Sequence, residues 1–184
     1  MMKVQDRNTA SINKELLSEL GLANANQLPK LTKIVINVGL GRAVQDKKVL
    51  EIAAKTLQKI SGQRPVQTKS KKSIAAYKLR AGMPIGLKVT LRGQRMEEFL
   101  KRLIWIVLPR LRDFHGLSPK SFDSQGNYTI GIPDQAVFPE LTYEDTTYSH
   151  GLEITLVFSS LDPAHNRRLL QSLKFPLVKG RNNG

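Results

Sequence analysis

The stretch that decides the fold is Leu87-Lys88-Val89-Thr90-Leu91-Arg92, in which apolar side chains alternate with basic or polar ones. Successive side chains of a β-strand point to opposite faces of the sheet, so the three apolar residues face a core and Lys88, Thr90 and Arg92 face outward. Gly93 ends this strand, and an apolar helical pattern follows it. The stretch therefore predicts a sheet with one face buried under helices and one polar, cationic face.

Other segments extend this architecture. Lys33-Ile34-Val35-Ile36-Asn37-Val38 alternates in the same way and places Lys33 and Asn37 on the outward side. The same period of two predicts three further strands, Pro65–Lys69, Tyr128–Ile132 and Leu152–Phe158.

Helical spacing of apolar residues predicts four helices. They are an N-terminal helix at Asn8–Leu20 capped by Gly21, a helix from Asp46 to about Ile60, a long helix after Gly93 that Pro109 ends or kinks, and a short helix from Pro163 to about Leu173. Trp105 lies within the long apolar helix, and we expect it in the core. We find no repeat or linker, so residues 1–184 are predicted to form one α+β domain, with a basic tail at 176–184.

The charge of the chain is unevenly distributed. The formal net charge is +14, and Arg64–Arg112 carries thirteen Lys or Arg against Glu97 and Glu98. The next segment, Asp113–Ser160, carries seven acids and one Lys. A basic surface of this size favours nucleic acid as the partner, because each neutralised phosphate releases a counterion. An adaptor that binds an anionic membrane or an acidic protein through the same surface is the alternative.

Several features that the sequence lacks limit where the protein is expected to be located and which chemistry it can perform. It has no cysteine, no signal-peptide core and no apolar run long enough to span a membrane, which favours a cytoplasmic protein. His115, His150 and His165 are far apart and lack the spacing of metal ligands. Gly39-Leu40-Gly41-Arg42 lacks the third glycine of a dinucleotide fingerprint and the Gly-Lys-Ser/Thr ending of a P-loop. No cofactor or catalytic set is predicted, so an RNA-modifying enzyme is disfavoured.

The segment between the second and third strands, Ser70–Pro84, is predicted to be an exposed loop, here called the basic loop. Tyr77 lies between its basic residues and is a candidate for stacking on a nucleobase, while packing against the loop itself remains open. Its basic residues are Lys71, Lys72, Lys78 and Arg80.

Several stretches resemble one family, the large-subunit ribosomal protein that binds 5S rRNA (ribosomal protein L5 in the bacterial naming). The resemblance is collinear from about Pro29 to Phe158. The stretches that carry it include Lys33–Gly41, Ile60–Pro65, Lys72–Gly86, Lys88–Gly93, Pro109–Phe114, Gly116–Ser118, Ser121–Asp123, Gly126–Tyr128 and Phe138–Glu140.

The resemblance implies an antiparallel sheet with helices on one face and RNA on the other. It implies a non-enzymatic protein that anchors 5S rRNA in the central protuberance. Its further implied partners are large-subunit rRNA and neighbouring large-subunit proteins. Asn37, Gln63 and Thr90 match the positions at which the family contacts 5S rRNA. The nearby cations Lys33, Lys69, Lys88 and Arg92 would add charge.

Two further partners follow from the resemblance. The basic loop matches the loop with which the family reaches the P-site tRNA. The acidic segment Pro133–Tyr148 matches the region that faces a basic protein of the small-subunit head across an intersubunit bridge, and its negative charge suits that partner.

Overall fold

The structure is a computed structural model, and it describes residues 16–22, 24–41, 47–112 and 114–178. In these residues five strands form one sheet in the order β2-β3-β1-β5-β4. Strand β3 pairs antiparallel with both β1 and β2. The strands are β1 (Leu31–Gly39), β2 (Val66–Lys69), β3 (Pro84–Leu91), β4 (Tyr128–Ile132) and β5 (Leu152–Phe158). The predicted α+β class with an antiparallel sheet is confirmed.

Three α-helices lie wholly within the described residues: α1 (Lys47–Ser61), α2 (Gly93–Arg102) and α3 (Pro163–Ser172). Helix α2 continues into a π-helical turn, Leu103–Val107, and a 3-10 turn, Leu108–Arg110. The regular α-helix therefore ends earlier than Pro109, at Arg102. The helical turns that follow it end at Arg110, one residue after Pro109, because proline has no N–H to donate and its ring clashes with the preceding helical turn.

Some predicted features lie outside the described residues. Residues 16–20 are helical and Gly21 has a φ of 62°, as expected for the end of the N-terminal helix, but residues 8–15 are not described. The predicted cap Asp46 and the last six residues of the tail, 179–184, are also outside the description.

The chain divides into two compact units. The larger unit comprises the described residues of Lys33–Phe114 and Thr129–Leu156. Within it, the β1–β3 register places apolar partners opposite each other on the buried face, and helix α1 contacts β3. Each of these partners is at most 1% exposed: Ile34 and Leu91, Ile36 and Val89, Val38 and Leu87.

The smaller unit comprises the described residues of Met1–Thr32, His115–Tyr128 and Val157–Gly184. The ring of Tyr128 packs edge-on against Phe122 and Phe175, with centroid distances of 4.8 and 5.7 Å. The Tyr128 hydroxyl donates a hydrogen bond to the Ser118 carbonyl at 2.7 Å. Burial of the hydroxyl raises the pKa of Tyr128.

The expectation that Trp105 is a core residue is wrong, since its side chain is 64% exposed. The buried stripe of this segment contains Leu103, Ile104, Val107 and Leu108. Trp105 follows Ile104 by one residue, about a quarter of a turn further round the helix, and so falls outside the stripe. The helical period is a better guide here than the apolar character of the side chain.

Gly86 of β3 occupies a position where no side chain fits. A Cβ atom at residue 86 would lie 2.6 Å from the Val38 carbonyl oxygen and 2.8 Å from Oγ1 of Thr68. Gly131 of β4 differs, because a Cβ there would meet nothing within 4 Å.

We expect Gly86→Ala to lower the free energy of unfolding by about 1–3 kcal/mol, because the new methyl group overpacks the sheet. Urea denaturation followed by circular dichroism measures this change. Gly131→Ala is the matched control, and it should keep or raise stability, since it has room and reduces the entropy of the unfolded chain. Equal stability of the two variants would contradict this account of the sheet.

Candidate nucleic-acid interface

The outward face of β1 and β3, here called the open face, carries the polar residues predicted from the alternation. The register pairs Asn37 with Lys88 and Val35 with Thr90. Lys88 is exposed, and the other three are half-buried. The predicted placement of Asn37 and Thr90 on the face opposite the core is therefore confirmed.

The remaining predicted contact residues lie on or near the same strands. Lys33 is half-buried and lies four residues before Asn37 on β1, so both face the same side. Arg92 is exposed and directly follows β3, two residues after Thr90, so it continues the same alternation. Lys69 is exposed at the end of β2, which pairs with β3 at the edge of the sheet.

Gln63 is positioned by the tight turn that joins α1 to β2. Gly62 has a φ of 66°, which permits the sharp change of direction after the helix. The Ser61 hydroxyl accepts the backbone N–H of Gln63 at 3.2 Å, and its single proton lies within reach of the Leu57 carbonyl at 2.7 Å and the Gln63 carbonyl at 2.9 Å. The backbone of Gln63 is thus fixed, and its side chain is half-buried.

Strand order brings an acidic residue to the open face. Because β5 lies beside β1, the Asn37 side-chain amide Nδ2 lies 3.4 Å from Oε2 of Glu153. Glu153 is exposed. The alternation of apolar and polar residues in Leu152–Phe158 gives Glu153 an outward position, but it carries no signal that Glu153 neighbours Asn37.

A groove of about 540 Å³ opens beside these two side chains. Its lining includes three glycines, Gly39, Gly131 and Gly151, together with Pro133. Because the glycines carry no side chains, the backbone itself forms much of the groove surface.

The basic loop is held by its own hydrogen bonds. The Ser70 N–H donates to the Met83 carbonyl at 2.8 Å and closes the base of the loop. Further out, Ile74 and Leu79 exchange backbone hydrogen bonds of 2.9 and 3.1 Å around the 3-10 turn Ala75–Tyr77. The loop is therefore a folded element that presents its side chains in a defined arrangement.

The basic and aromatic side chains of this loop are exposed to solvent. Tyr77 is 75% exposed, so it does not pack against its own loop. Lys78 has a φ of 54°, a left-handed conformation that a lysine seldom adopts. The four cations of the loop are all exposed: Lys71, Lys72, Lys78 and Arg80.

The acidic segment Pro133–Tyr148 is partly neutralised within the larger unit. The Asp145 carboxylate accepts hydrogen bonds from Nζ of Lys59 at 2.7 and 2.8 Å. It also accepts the backbone N–H and the hydroxyl of Thr142. The Lys59 hydrogen bond and the two Thr142 bonds lower the pKa of Asp145 to about 2.

A second acid of the segment is also paired. The Arg102 guanidinium forms an ion pair with Glu140 and donates to the Ile60 carbonyl at 3.2 Å. Asp134 caps the turn Gln135–Val137 by accepting from the Ala136 N–H at 3.0 Å. In the part of the chain that is described, Glu144 makes no ion pair and remains available to a partner.

The described residues contain no group of three His, Cys, Asp or Glu side chains that could hold a metal ion. None of the helices in the described ranges is long and apolar enough to cross a membrane.

Known proteins resemble this chain over most of its length. The family model for ribosomal protein L5 matches residues 24–80, and the companion model for the C-terminus of this ribosomal family matches residues 84–177. The large ribosomal subunit protein uL5 of Mycoplasma pneumoniae is 53% identical over 92% of this chain and 94% of its own length. The uL5 proteins of Dichelobacter nodosus and Desulforamulus reducens are 51% and 48% identical over 96% and 97% of this chain, and 98% and 99% of their own lengths.

The α+β fold, its basic charge and the matches to two ribosomal family models together define the chain as a ribosomal protein. Specifically, the chain belongs to the ribosomal protein L5 family. The resemblance drawn from the motifs is therefore confirmed.

The pairing of Lys59 with Asp145 predicts a pH dependence. The folded-state pKa of Asp145 is about 2, below its ordinary value of 3.8, so the pair stabilises the fold above about pH 4 and is lost as the pH falls through 2. Lys59→Met should therefore lower the melting temperature at pH 6, and the difference from wild type should shrink between pH 4 and pH 2.

Lys55→Met is the matched control, because Lys55 is exposed on the same helix. Thermal melts of the three proteins at pH 6, 4, 3 and 2 provide the comparison. A pH-independent difference for Lys59→Met, or the same profile for both variants, would contradict the role of this pair.

Proposed function

We propose that the chain binds 5S rRNA through the open face and anchors it in the central protuberance of the large ribosomal subunit. The observation that carries the proposal is the antiparallel register that sets Asn37 beside Lys88 and brings Thr90 to the same polar face. Gln63 and Lys69 extend this surface toward β2, and Lys33 and Arg92 add charge along the two central strands.

Family membership supplies the wider setting. Proteins of this family are structural components of the ribosome, so the chain acts as a ribosomal protein and not as an enzyme. It works in the cytoplasm, where bacterial ribosomes are found, and its partners are rRNA and other ribosomal proteins.

The side chains of the open face suit recognition of folded RNA by its backbone. Amide and hydroxyl groups such as those of Asn37 and Thr90 can donate to and accept from ribose 2′-hydroxyls and phosphates, which carry no base identity. Lysines beside them neutralise phosphates and release counterions, which supplies affinity. Half-burial limits the conformations of Asn37 and Thr90, so less entropy is lost when they bind.

The basic loop is proposed to contact the P-site tRNA. Its internal hydrogen bonds fix the backbone from which the four exposed cations extend. The exposed ring of Tyr77 can stack on an unpaired base, while the neighbouring cations bind phosphates.

The acidic segment is proposed to face a basic protein of the small-subunit head. Asp145 and Glu140 are already paired with Lys59 and Arg102, so Glu144 carries the charge that this bridge would use. The exposed Tyr143 beside it would add apolar contact area.

We expect Asn37→Ala, Gln63→Ala and Thr90→Ala each to weaken 5S rRNA binding by roughly 1–3 kcal/mol, because a partner on the RNA loses its hydrogen bond. Filter binding or fluorescence anisotropy with isolated 5S rRNA at fixed salt measures the change. Gln58→Ala, at an exposed position of helix α1, is the control and should bind as wild type does. Unchanged affinity in all three variants would remove the open face as the binding site.

The basic loop should be separable from the 5S rRNA site. Replacing Lys71, Lys72, Lys78 and Arg80 by Ala should leave 5S rRNA affinity largely intact and reduce crosslinking of ribosomes to P-site tRNA. Both quantities are measured on the same variant. The reverse pattern, lost 5S rRNA binding with normal tRNA crosslinking, would show that the assignment of the loop is wrong.

A further inference from the structure

The groove beside Asn37 and Glu153 has features that packing within the protein does not explain. Gly39, Gly131 and Gly151 alternate in step with Asn37, Thr129 and Glu153, so all three lie on the open face. A Cβ at Gly151 would lie 3.2 Å from the Ile132 carbonyl oxygen, so packing accounts for that glycine, but it does not account for Gly39 or Gly131. A glycine within a strand weakens the strand, and it marks a bulge or a place where another group approaches the backbone closely.

Two glycines of the sheet can be compared directly. Gly86 is required by its neighbours, because a Cβ would collide with the Val38 carbonyl. Gly131 has no positive φ and no atom within 4 Å of the position of its Cβ, so nothing in the described protein requires a glycine there. The free space above Gly131 is therefore available to a ligand.

Glu153 is the second unexplained feature. A carboxylate on a surface that binds RNA repels phosphates, so it weakens backbone binding unless the RNA donates hydrogen bonds to it. The Asn37 amide lies 3.4 Å from Oε2, a long contact that orients Glu153 and leaves Oε1 without a hydrogen bond from the described residues. Oε1 of Glu153 can therefore accept a hydrogen bond from a ligand at the rim of the groove.

We propose that this groove takes one unpaired guanine of the bound RNA, which Glu153 reads. The inference rests on the proposed function, since it concerns the same open face, and it adds base recognition to contacts with the RNA backbone. The base lies flat over the backbone at Gly131, and its Watson–Crick edge meets Glu153 on the neighbouring strand β5. Asn37 acts as the positioning residue for the carboxylate.

Guanine is the base whose edge fits a carboxylate. Its N1–H and N2–H groups are adjacent parallel donors, and a carboxylate accepts both through its two oxygens in a charge-assisted pair. Adenine and cytosine offer one amino donor beside a ring-nitrogen acceptor that would repel the second oxygen. Uracil offers one N–H between two carbonyl acceptors.

A cation of the open face lies on the other side of Glu153 from Gly131. Lys88 pairs with Asn37 across β3 and β1, and Glu153 lies on the next strand, β5. Lys88 and Glu153 are thus two strand spacings apart, about 10 Å. Lys88 can therefore bind a phosphate of an adjoining nucleotide, while the nucleotide whose base covers Gly131 extends away from it.

The test combines a guanine-specific footprint with a change of charge. Kethoxal modifies N1 and N2 of unpaired guanines, and we expect wild type to protect one such guanine of 5S rRNA. Glu153→Gln should expose that guanine and weaken binding roughly tenfold to a hundredfold, the size of one bidentate base contact. Glu51→Gln, which makes the same change at an exposed position of helix α1, should do neither.

Gly131→Val tests the groove independently of charge. Valine suits a strand and has room at this position, so folding should be retained, while the side chain blocks the base. We expect loss of the same guanine protection with an unchanged melting temperature.

The outcomes separate the two proposals. If wild type binds 5S rRNA but Glu153→Gln binds equally or more tightly with the same protections, the carboxylate is only tolerated and the guanine site is wrong. Retained protection by a folded Gly131→Val protein also overturns it. If wild type does not bind 5S rRNA, the proposed function fails and the guanine site fails with it.

Discussion

The structure depends on the antiparallel register of β1 against β3. Ile36 lies opposite Val89 on the buried face, and the next pair along, Asn37 and Lys88, lies on the open face. Because side chains alternate, a slip of one residue would bury the polar pair and expose the apolar one. Burial of the apolar pairs therefore also determines which polar groups face a partner.

The ion pairs separate two groups of cations, those that are neutralised within the protein and those on the open face and the basic loop. Lys59 and Arg102 are held by Asp145 and Glu140 within the larger unit. In the described part of the chain, the cations of the open face and the basic loop form no ion pairs with carboxylates, so their charge remains available to phosphates. The net charge of the chain is thus larger than the charge that can bind RNA. The ion pairs show which cations are already neutralised and which remain for phosphates.

The sequence predicts the strands better than the relations between them. The bounds of β4 and β5 agree with the prediction, because strict alternation ends at recognisable breaks. Trp105 is exposed although its apolar character predicts burial, because the helical period decides which side chains of this segment reach the core. The contact of Asn37 with Glu153 joins residues 116 positions apart, and it depends on β5 pairing beside β1, for which alternation gives no signal. The free space above Gly131 likewise exists only in three dimensions.

The central claim is that the open face, and not the helical side, meets the RNA. Ultraviolet crosslinking of the wild-type protein to 5S rRNA, with the crosslinked peptides identified by mass spectrometry, tests it most directly. The account predicts crosslinks in peptides from β1, β3 and the turn that contains Gln63. Crosslinks confined to the exposed residues of α1, with none on these strands, would contradict it.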